Sequence, residues 1–248
     1  RNGDCSSCGV CAFDLIEPKL CRDSGKEEEI KPIATGILKT SFKKLKILFM
    51  KRDQARFFGH LELINIFLRA IRRAGIEVAY SEGFHPMPKI SFEDTLPIGM
   101  ESLCETLYLA VAEKTEPGAI PEKLNGQLPE GLSVYNCTEA VNFAGNKQGT
   151  FVYEVSLCLG CFDKESLELY KMSPSVVIER INKKGMIKKI DLKEAVKAID
   201  LIFPDRLEMA LSSEPGKTVR PAEVLKRIFD LPEEQLKAAR IVKTSITL

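Results

Sequence analysis

"KKLKILFMKRDQARFFGHLELINIFLRAIRRAG", residues 43–75, carries two periodicities in succession. The first part, 43–52, alternates charge and bulk, which reads as a strand with one face buried. From Gly59 to Gly75 the apolar residues recur at helical spacing. Leu61, Ile64, Leu68 and Ile71 form the stripe, and Leu63 and Phe67 widen it. Arg69, Arg72 and Arg73 stand in the last turn, where cations suit the helix dipole, and Gly75 is placed to end it. A strand followed at once by an amphipathic helix opens a βα unit, and the rest of the chain repeats that rhythm.

After the helix, "IEVAYS" (76–81) and "PKISF" (88–92) read as short strands around a Pro-bounded loop. "CETLYLAVAE" (104–113) reads as a strand, "PGAIPEKLNGQLPEG" (117–131) as a short helix, and "LSVYNCTEA" (132–140) as a closing strand. A second half then runs strand (149–160), helix (163–172), hairpin about Gly185, strand (205–213), helix (220–230) and strand (238–248). Pro221 sits in the first turn of that later helix. Both halves fit the split βαβ plan, so the expected fold is α+β: two tandem ferredoxin-like domains, 42–145 and 146–248. No residue-level repeat relates them. Residues 1–22 form a Cys-rich segment, and the polar stretch 23–41 reads as a linker.

In "CSSCGVC", Cys5, Cys8 and Cys11 stand two residues apart, and Cys21 follows nine residues on. Such gaps aim several thiolates at one centre, so these four are candidate ligands of an iron–sulfur cluster or a structural zinc. Cys158 and Cys161 form a second pair. The apolar run ahead of them favours a buried structural role for Cys158, as for Cys104 and Cys137. The clustering of the eight cysteines in a chain this long points to a reducing, cytoplasmic compartment rather than a secreted disulfide scaffold. No apolar run approaches the roughly 18 residues of a membrane helix, and no signal peptide is visible. The absence of an initiator Met before Arg1 suggests a piece of a longer polypeptide.

Charge is unevenly spread. Residues 43–73 hold nine Lys and Arg against Asp53 and Glu62, a local net of +7, whereas 94–139 hold eight acids against Lys114 and Lys123, a local net of −6. The basic stretch suits phosphates, and the acidic one suits a docking partner. Arg52, Arg56, Arg72, Arg73 and Lys89 are the candidate phosphate-binding residues. His60 and His85 are the only histidines. Set near Arg56 and Lys89, they fit general acid–base work on RNA, phosphate binding, or plain capping and turn roles. Phe57, Phe58, Phe84 and Phe92 lie near basic residues and are candidates for base stacking or for core. Phosphate-binding glycine loops, zinc-protease motifs and serine-nucleophile elbows are all missing.

The segment "FFGHLELINIFLRAIRRAGIEVAYSEGFHPMPKISFEDTLPIGMES", 57–102, resembles the most characteristic part of the radical SAM-linked protein family. This bacterial domain is fused to, or encoded beside, a cobalamin-binding-type radical SAM protein. "TVRPAEVLKRIFDL" and "ARIVKTSITL" are similar to the family's closing helix and final strand. The resemblance covers most of 43–248. It implies an accessory domain that binds substrate, with SAM and cobalamin held on the partner or an upstream region. The Cys-rich head would then be the tail of that region. His85 stands where the family pattern has Asn, and Met87 where it has His, which argues against His85 as an obligatory catalyst. At the level of fold, the chain also looks loosely like the RNA-processing endoribonucleases of CRISPR systems.

Overall fold

The computed structural model describes residues 41–93, 96–140, 149–181, 185–214 and 218–247. They belong to one compact unit, Thr40–Leu248. Cys5, Cys8, Cys11, Cys21 and the 23–40 part of the linker lie outside the described residues.

The chain opens with β1 (Phe42–Lys51), in which Leu45, Ile47 and Phe49 are fully buried while their neighbours are half-exposed. Helix α1 (His60–Arg73) follows. Its first turn is closed by the Glu62 carboxylate, which accepts the Gly59 N–H at 2.7 Å. Gly75 follows its end at φ +64. The buried stripe of α1 is Leu63, Phe67, Ala70 and Ile71, and Leu61 is left outside. The spacing argument therefore found the helix but rotated its face. The bulkiest side chain sets the orientation, because the Phe67 ring meets Phe49 at 5.0 Å and Phe92 at 5.7 Å, both edge-on.

β2 (Ile90–Phe92), β3 (Glu101–Ala112), α2 (Ile120–Asn125) and β4 (Leu132–Glu139) complete the first half. "IEVAYS" is not a regular strand: it touches the sheet through one isolated bridge, Val78 to Val111, and its Tyr80 bridges Pro88 ahead of β2. The second half comprises β5 (Thr150–Ser156), α3 (Lys164–Met172), β6 (Val177–Ile181), β7 (Ile187–Asp191), α4 (Leu192–Ala195), β8 (Val196–Phe203), β9 (Arg206–Ser212), α5 (Pro221–Phe229), α6 (Glu233–Ala238) and β10 (Arg240–Thr247). The sequence reading missed β8. It has only a hairpin about Gly185 ahead of the strand at 205, whereas the Asp191 carboxylate accepts the Lys193 N–H at 2.9 Å and turns the chain into α4.

The fold is thus mixed α/β with a mostly antiparallel sheet, ordered β4-β1-β3-β10-β5-β9-β8, with β2 added on β3. The last strand, β10, runs parallel to β3 and antiparallel to β5, so it joins the two halves. Two buried clusters form. One packs α1 and α2 on β1, β3 and β4; the other packs α3 and α5 on β5, β9 and β10.

Charged side chains lie between these clusters. Lys243 on β10 and Glu105 on β3, 2% and 4% exposed, meet in an ion pair at 2.5 Å. Lys51 is fully buried and donates to the Phe58 carbonyl at 2.9 Å. Burial holds its ammonium below the ordinary lysine value, against the opposing pull of Glu105 and Glu62. A second link across the junction is the paired Arg240–Glu101 contact, at 3.1 and 2.8 Å.

β6 and β7 pair only with each other among the described residues. They reach the body through Ile178 and Ile190, which pack on the second cluster, and through Arg180, which grips both oxygens of Glu223 on α5. Glu223 also accepts the Arg220 N–H at 2.7 Å. Burial pushes its carboxyl up, but the Arg180 and Arg220 hydrogen bonds and charges outweigh it, so the net shift is downward. A depressed carboxyl contributes stability that is present above its ordinary value of 4.5 and lost as pH falls through the lower folded value. Glu223→Gln is therefore expected to be less stable at neutral pH and to show a flatter acid limb below 4.5. Unfolding midpoints measured against pH for the two proteins check this.

Candidate substrate-binding face

Side chains of a strand alternate between faces. In β1, Leu45, Ile47 and Phe49 face the helices, so Lys44, Lys46, Leu48 and Met50 face the other way. Register extends that face across three strands. Lys44 pairs with Ala110 of β3 and Lys46 with Tyr108, while Ser91 of β2 pairs with Tyr108 from the other side. Lys89 is bound in beside them: its N–H donates to the Ala79 carbonyl at 2.8 Å, and its carbonyl accepts the Ala110 N–H at 3.1 Å. Ile90 packs toward the α1 cluster, which leaves Lys89 on the side of Lys44 and Lys46. Lys44 and Lys46 of β1 thus flank Tyr108, and Lys89, one residue before β2, lies across Ala110 from Lys44. Lys44 Nζ lies 4.3 Å from the centre of that ring, a cation–π contact. Burial lowers the Lys44 value. The Tyr108 hydroxyl is pushed up, by burial first and then by the charge and hydrogen bond of Glu93.

Beside this row the face is hollowed into an open cavity of about 530 Å³. Leu48, Met50, Leu103, Cys104 and Thr106 line it, with Lys46, Glu93 and Tyr135 as its larger polar groups and Thr244 closing it from β10. This size lies within the roughly 300–1,000 Å³ of ligand sites, and an apolar floor with few polar groups is their usual chemistry. Tyr135 is 46% exposed, so an aromatic ring is available for stacking. Burial pushes its hydroxyl up.

The sequence candidates distribute differently. Lys89 joins the open face. Arg56 lies 3.7 Å from Glu101 and stacks over Phe57 at 4.8 Å. Arg73 is held by Gln127, at 3.1 and 2.5 Å, and Arg72 is exposed beside it. A 14-residue helix is about 20 Å long, so Arg52 and Arg56 at one end of α1 and Arg72 and Arg73 at the other are not one cluster. His60 packs edge-on against Phe92 at 5.6 Å. His85 is exposed in a loop held closed by Ser81, whose N–H reaches the Met87 carbonyl at 2.8 Å and whose hydroxyl oxygen accepts the Met87 N–H at 3.0 Å. No hydrogen bond or ring contact joins the two histidines. Phe58 and Phe92 are core-packed, while Phe57 and Phe84 are exposed.

Within the acidic stretch, Glu101 and Glu105 are buried and pair with Arg240 and Lys243, whereas Glu113, Glu116, Glu122, Glu130 and Glu139 are exposed, Glu139 in contact with Lys43. Cys137 is buried, as expected, and Cys104 half-buried. Cys158 is a correction: it is exposed, because β5 ends at Ser156, two residues before it. Sequence reasoning passed over Tyr108, Tyr135, Lys44 and Lys46 as a set. The period-2 alternation of β1 and β3 was the signal that groups Lys44, Lys46 and Tyr108. No group of three or more His, Cys, Asp or Glu converges on a metal-sized point among the described residues, and no helix there is long and apolar enough to cross a membrane.

The family model described as "Uncharacterized protein conserved in bacteria (DUF2344)" matches residues 44–221. No curated protein matches the chain. Among solved structures, the crystal structure of an unknown protein from Galdieria sulphuraria is similar over 84% of this chain and 98% of that one, at 9% identity and a TM-score of 0.25. That score is too low to carry an argument about fold or function. The family match runs from β1 into the first residue of α5 and takes in the basic row and most of the cavity lining, and the chain belongs to this conserved bacterial family.

Proposed function

We propose that this chain is a substrate-binding accessory domain of a radical SAM enzyme, and that it holds single-stranded RNA, or another phosphate-bearing substrate, on the open face of its sheet. The observation that carries this reading is the row Lys44, Lys46 and Lys89 across β3, with Tyr108 against Lys44, beside the cavity flanked by Tyr135. Lysines on a sheet face neutralise phosphates, and aromatic rings beside them take bases by stacking. The resemblance of 57–102 and 218–231 to the radical SAM-linked family supports the partner, on which SAM and cobalamin would sit. The same resemblance makes Cys5, Cys8, Cys11 and Cys21 the tail of the upstream region, as ligands of an iron–sulfur cluster or zinc.

The tandem ferredoxin-like plan, with domains 42–145 and 146–248, belongs to this proposal. Its support is the strand order, β4-β1-β3-β2 in the first half and β10-β5-β9-β8 in the second, each the order of a split βαβ unit. No catalytic step is assigned to His60 or His85. Fluorescence anisotropy with a labelled single-stranded RNA, titrated at several salt concentrations, tests the reading. Binding is expected, with affinity falling linearly in log–log form as salt rises. Absence of binding at low salt would overturn it.

A further inference from the structure

Beyond the sheet face, Cys158 and Cys161 sit where β5 gives way to α3, within the tetrapeptide Cys158–Leu159–Gly160–Cys161. Both ends of this tetrapeptide are fastened to the same turn. The Leu157 N–H donates to the Asp205 carbonyl at 2.9 Å, and the Phe162 N–H to the Pro204 carbonyl at 2.7 Å. Leu157 and Phe162 are themselves buried anchors, 7% and 4% exposed. The chain therefore leaves and returns at adjacent carbonyls, and Gly160 at φ +85 takes the left-handed position that lets it reverse within four residues. A four-residue reversal keeps its first and fourth Cα atoms within about 7 Å, and a disulfide spans about 4.4–6.8 Å. Both thiols are exposed. The contrast is Cys137, which is buried and whose thiol burial pushes up to about 11.

We propose that Cys158 and Cys161 form a dithiol–disulfide pair that exchanges with small disulfides of the glutathione type. One cysteine, as its thiolate, attacks a sulfur of glutathione disulfide. The glutathione S–S bond breaks, a mixed disulfide forms, and one glutathione leaves as thiolate. The second cysteine then attacks the protein-side sulfur and displaces the other glutathione. The two protein thiols lose two electrons to the glutathione disulfide, and their two protons end on the two released glutathiones.

The exchange has a structural consequence. In the dithiol form Cys158 Sγ donates to the Ala238 carbonyl at 2.9 Å. Ala238 ends α6 two residues before Arg240, which clamps Glu101 across the junction of the halves. The disulfide has no S–H, so oxidation gives up this tie at the root of β10.

The test equilibrates the full chain in glutathione redox buffers of increasing oxidised fraction, traps free thiols by alkylation, and maps the peptides by mass spectrometry. The expected result is a Cys158–Cys161 cross-linked peptide with neither residue alkylated or glutathionylated, while Cys137 is alkylated only after unfolding. Cys158→Ser and Cys161→Ser should each trap a glutathione adduct on the remaining cysteine, since nothing resolves it. Amide exchange at 239–241 should quicken in the oxidised form and in Cys158→Ala, which has no side-chain donor for the Ala238 carbonyl. The proposal is overturned if both cysteines stay alkylatable in the most oxidising buffer. Separate glutathione adducts on the wild-type pair, or cross-links to other cysteines instead, overturn it equally.

Discussion

Glu105→Ala is expected to destabilise the protein by about 3–5 kcal/mol, the usual cost of removing one partner from a buried ion pair. The carboxylate is 4% exposed, and its partner Lys243 only 2%. Truncation takes away the carboxylate that meets the buried Lys243 ammonium at 2.5 Å and removes the field that helps keep Lys51 protonated. At about 2–4 °C per kcal/mol for a chain of this size, the melting temperature should drop by about 6–20 °C. The pH dependence is specific. Lys51 is held below its ordinary value of 10.5, so its share of stability is present above 10.5 and lost as pH falls through the folded value. At neutral pH its buried charge is a cost that Glu105 offsets. The deficit of Glu105→Ala should therefore narrow as pH rises toward 10.5. An apolar double replacement, Glu105→Leu with Lys243→Met, should cost less than Glu105→Ala alone, because the Lys243 charge goes with its partner and only the Lys51 part of the deficit stays. Urea unfolding of the variants reads all of this. A Glu105→Ala protein within about 0.5 kcal/mol of wild type, as surface substitutions usually are, would contradict the buried pairing that joins β3 to β10.

Tyr135→Ala is expected to weaken RNA binding by about 1–3 kcal/mol for the base it stacks, roughly 5- to 150-fold. Lys46→Ala and Lys89→Ala should act differently. Each removes about one phosphate contact, so each should lower the salt slope by about 0.7 for a single strand. The rings set how tightly a base is held, whereas the lysines set how strongly salt competes. Lys226→Ala on α5, whose side chain borders the β6–β7 hairpin, should leave both quantities unchanged. Arg56→Glu is a poor probe by comparison, since Arg56 is 3.7 Å from buried Glu101 and its reversal disturbs the Arg240 clamp as well. A Tyr135→Ala protein that binds RNA like wild type, with an unchanged salt slope in the two lysine variants, would move the site off this face.

Local pattern made part of this structure legible. The alternation of "KKLKILFMKR" located β1 and separated its buried residues from Lys44 and Lys46. The helical period located α1 but not its orientation, which is set by ring contacts to Phe49 and Phe92, distant in sequence or beyond the helix. β8 escaped because an Asp cap interrupts what otherwise reads as one strand. A lysine in "RIVKTSITL" reads as solvent-facing. Nothing local indicates that Lys243 meets Glu105, because the two come together only when β10 closes beside β3. The candidate site was hidden for the same reason. Its members lie on β1, β2, β3, β4 and β10, and histidines and phenylalanines in one dense stretch drew the reading toward α1 and its following loop. That loop instead leads into Lys89, the one sequence candidate seated among the lysines of the open face.

The most direct test of where this protein binds is a lysine footprint, in which exposed amines are acylated with and without single-stranded RNA and located by mass spectrometry. Binding on the open face requires protection of Lys46 and Lys89, with Lys226 and Lys188 modified as before. Protection of Lys226 or Lys188 with Lys46 and Lys89 unaffected would contradict it.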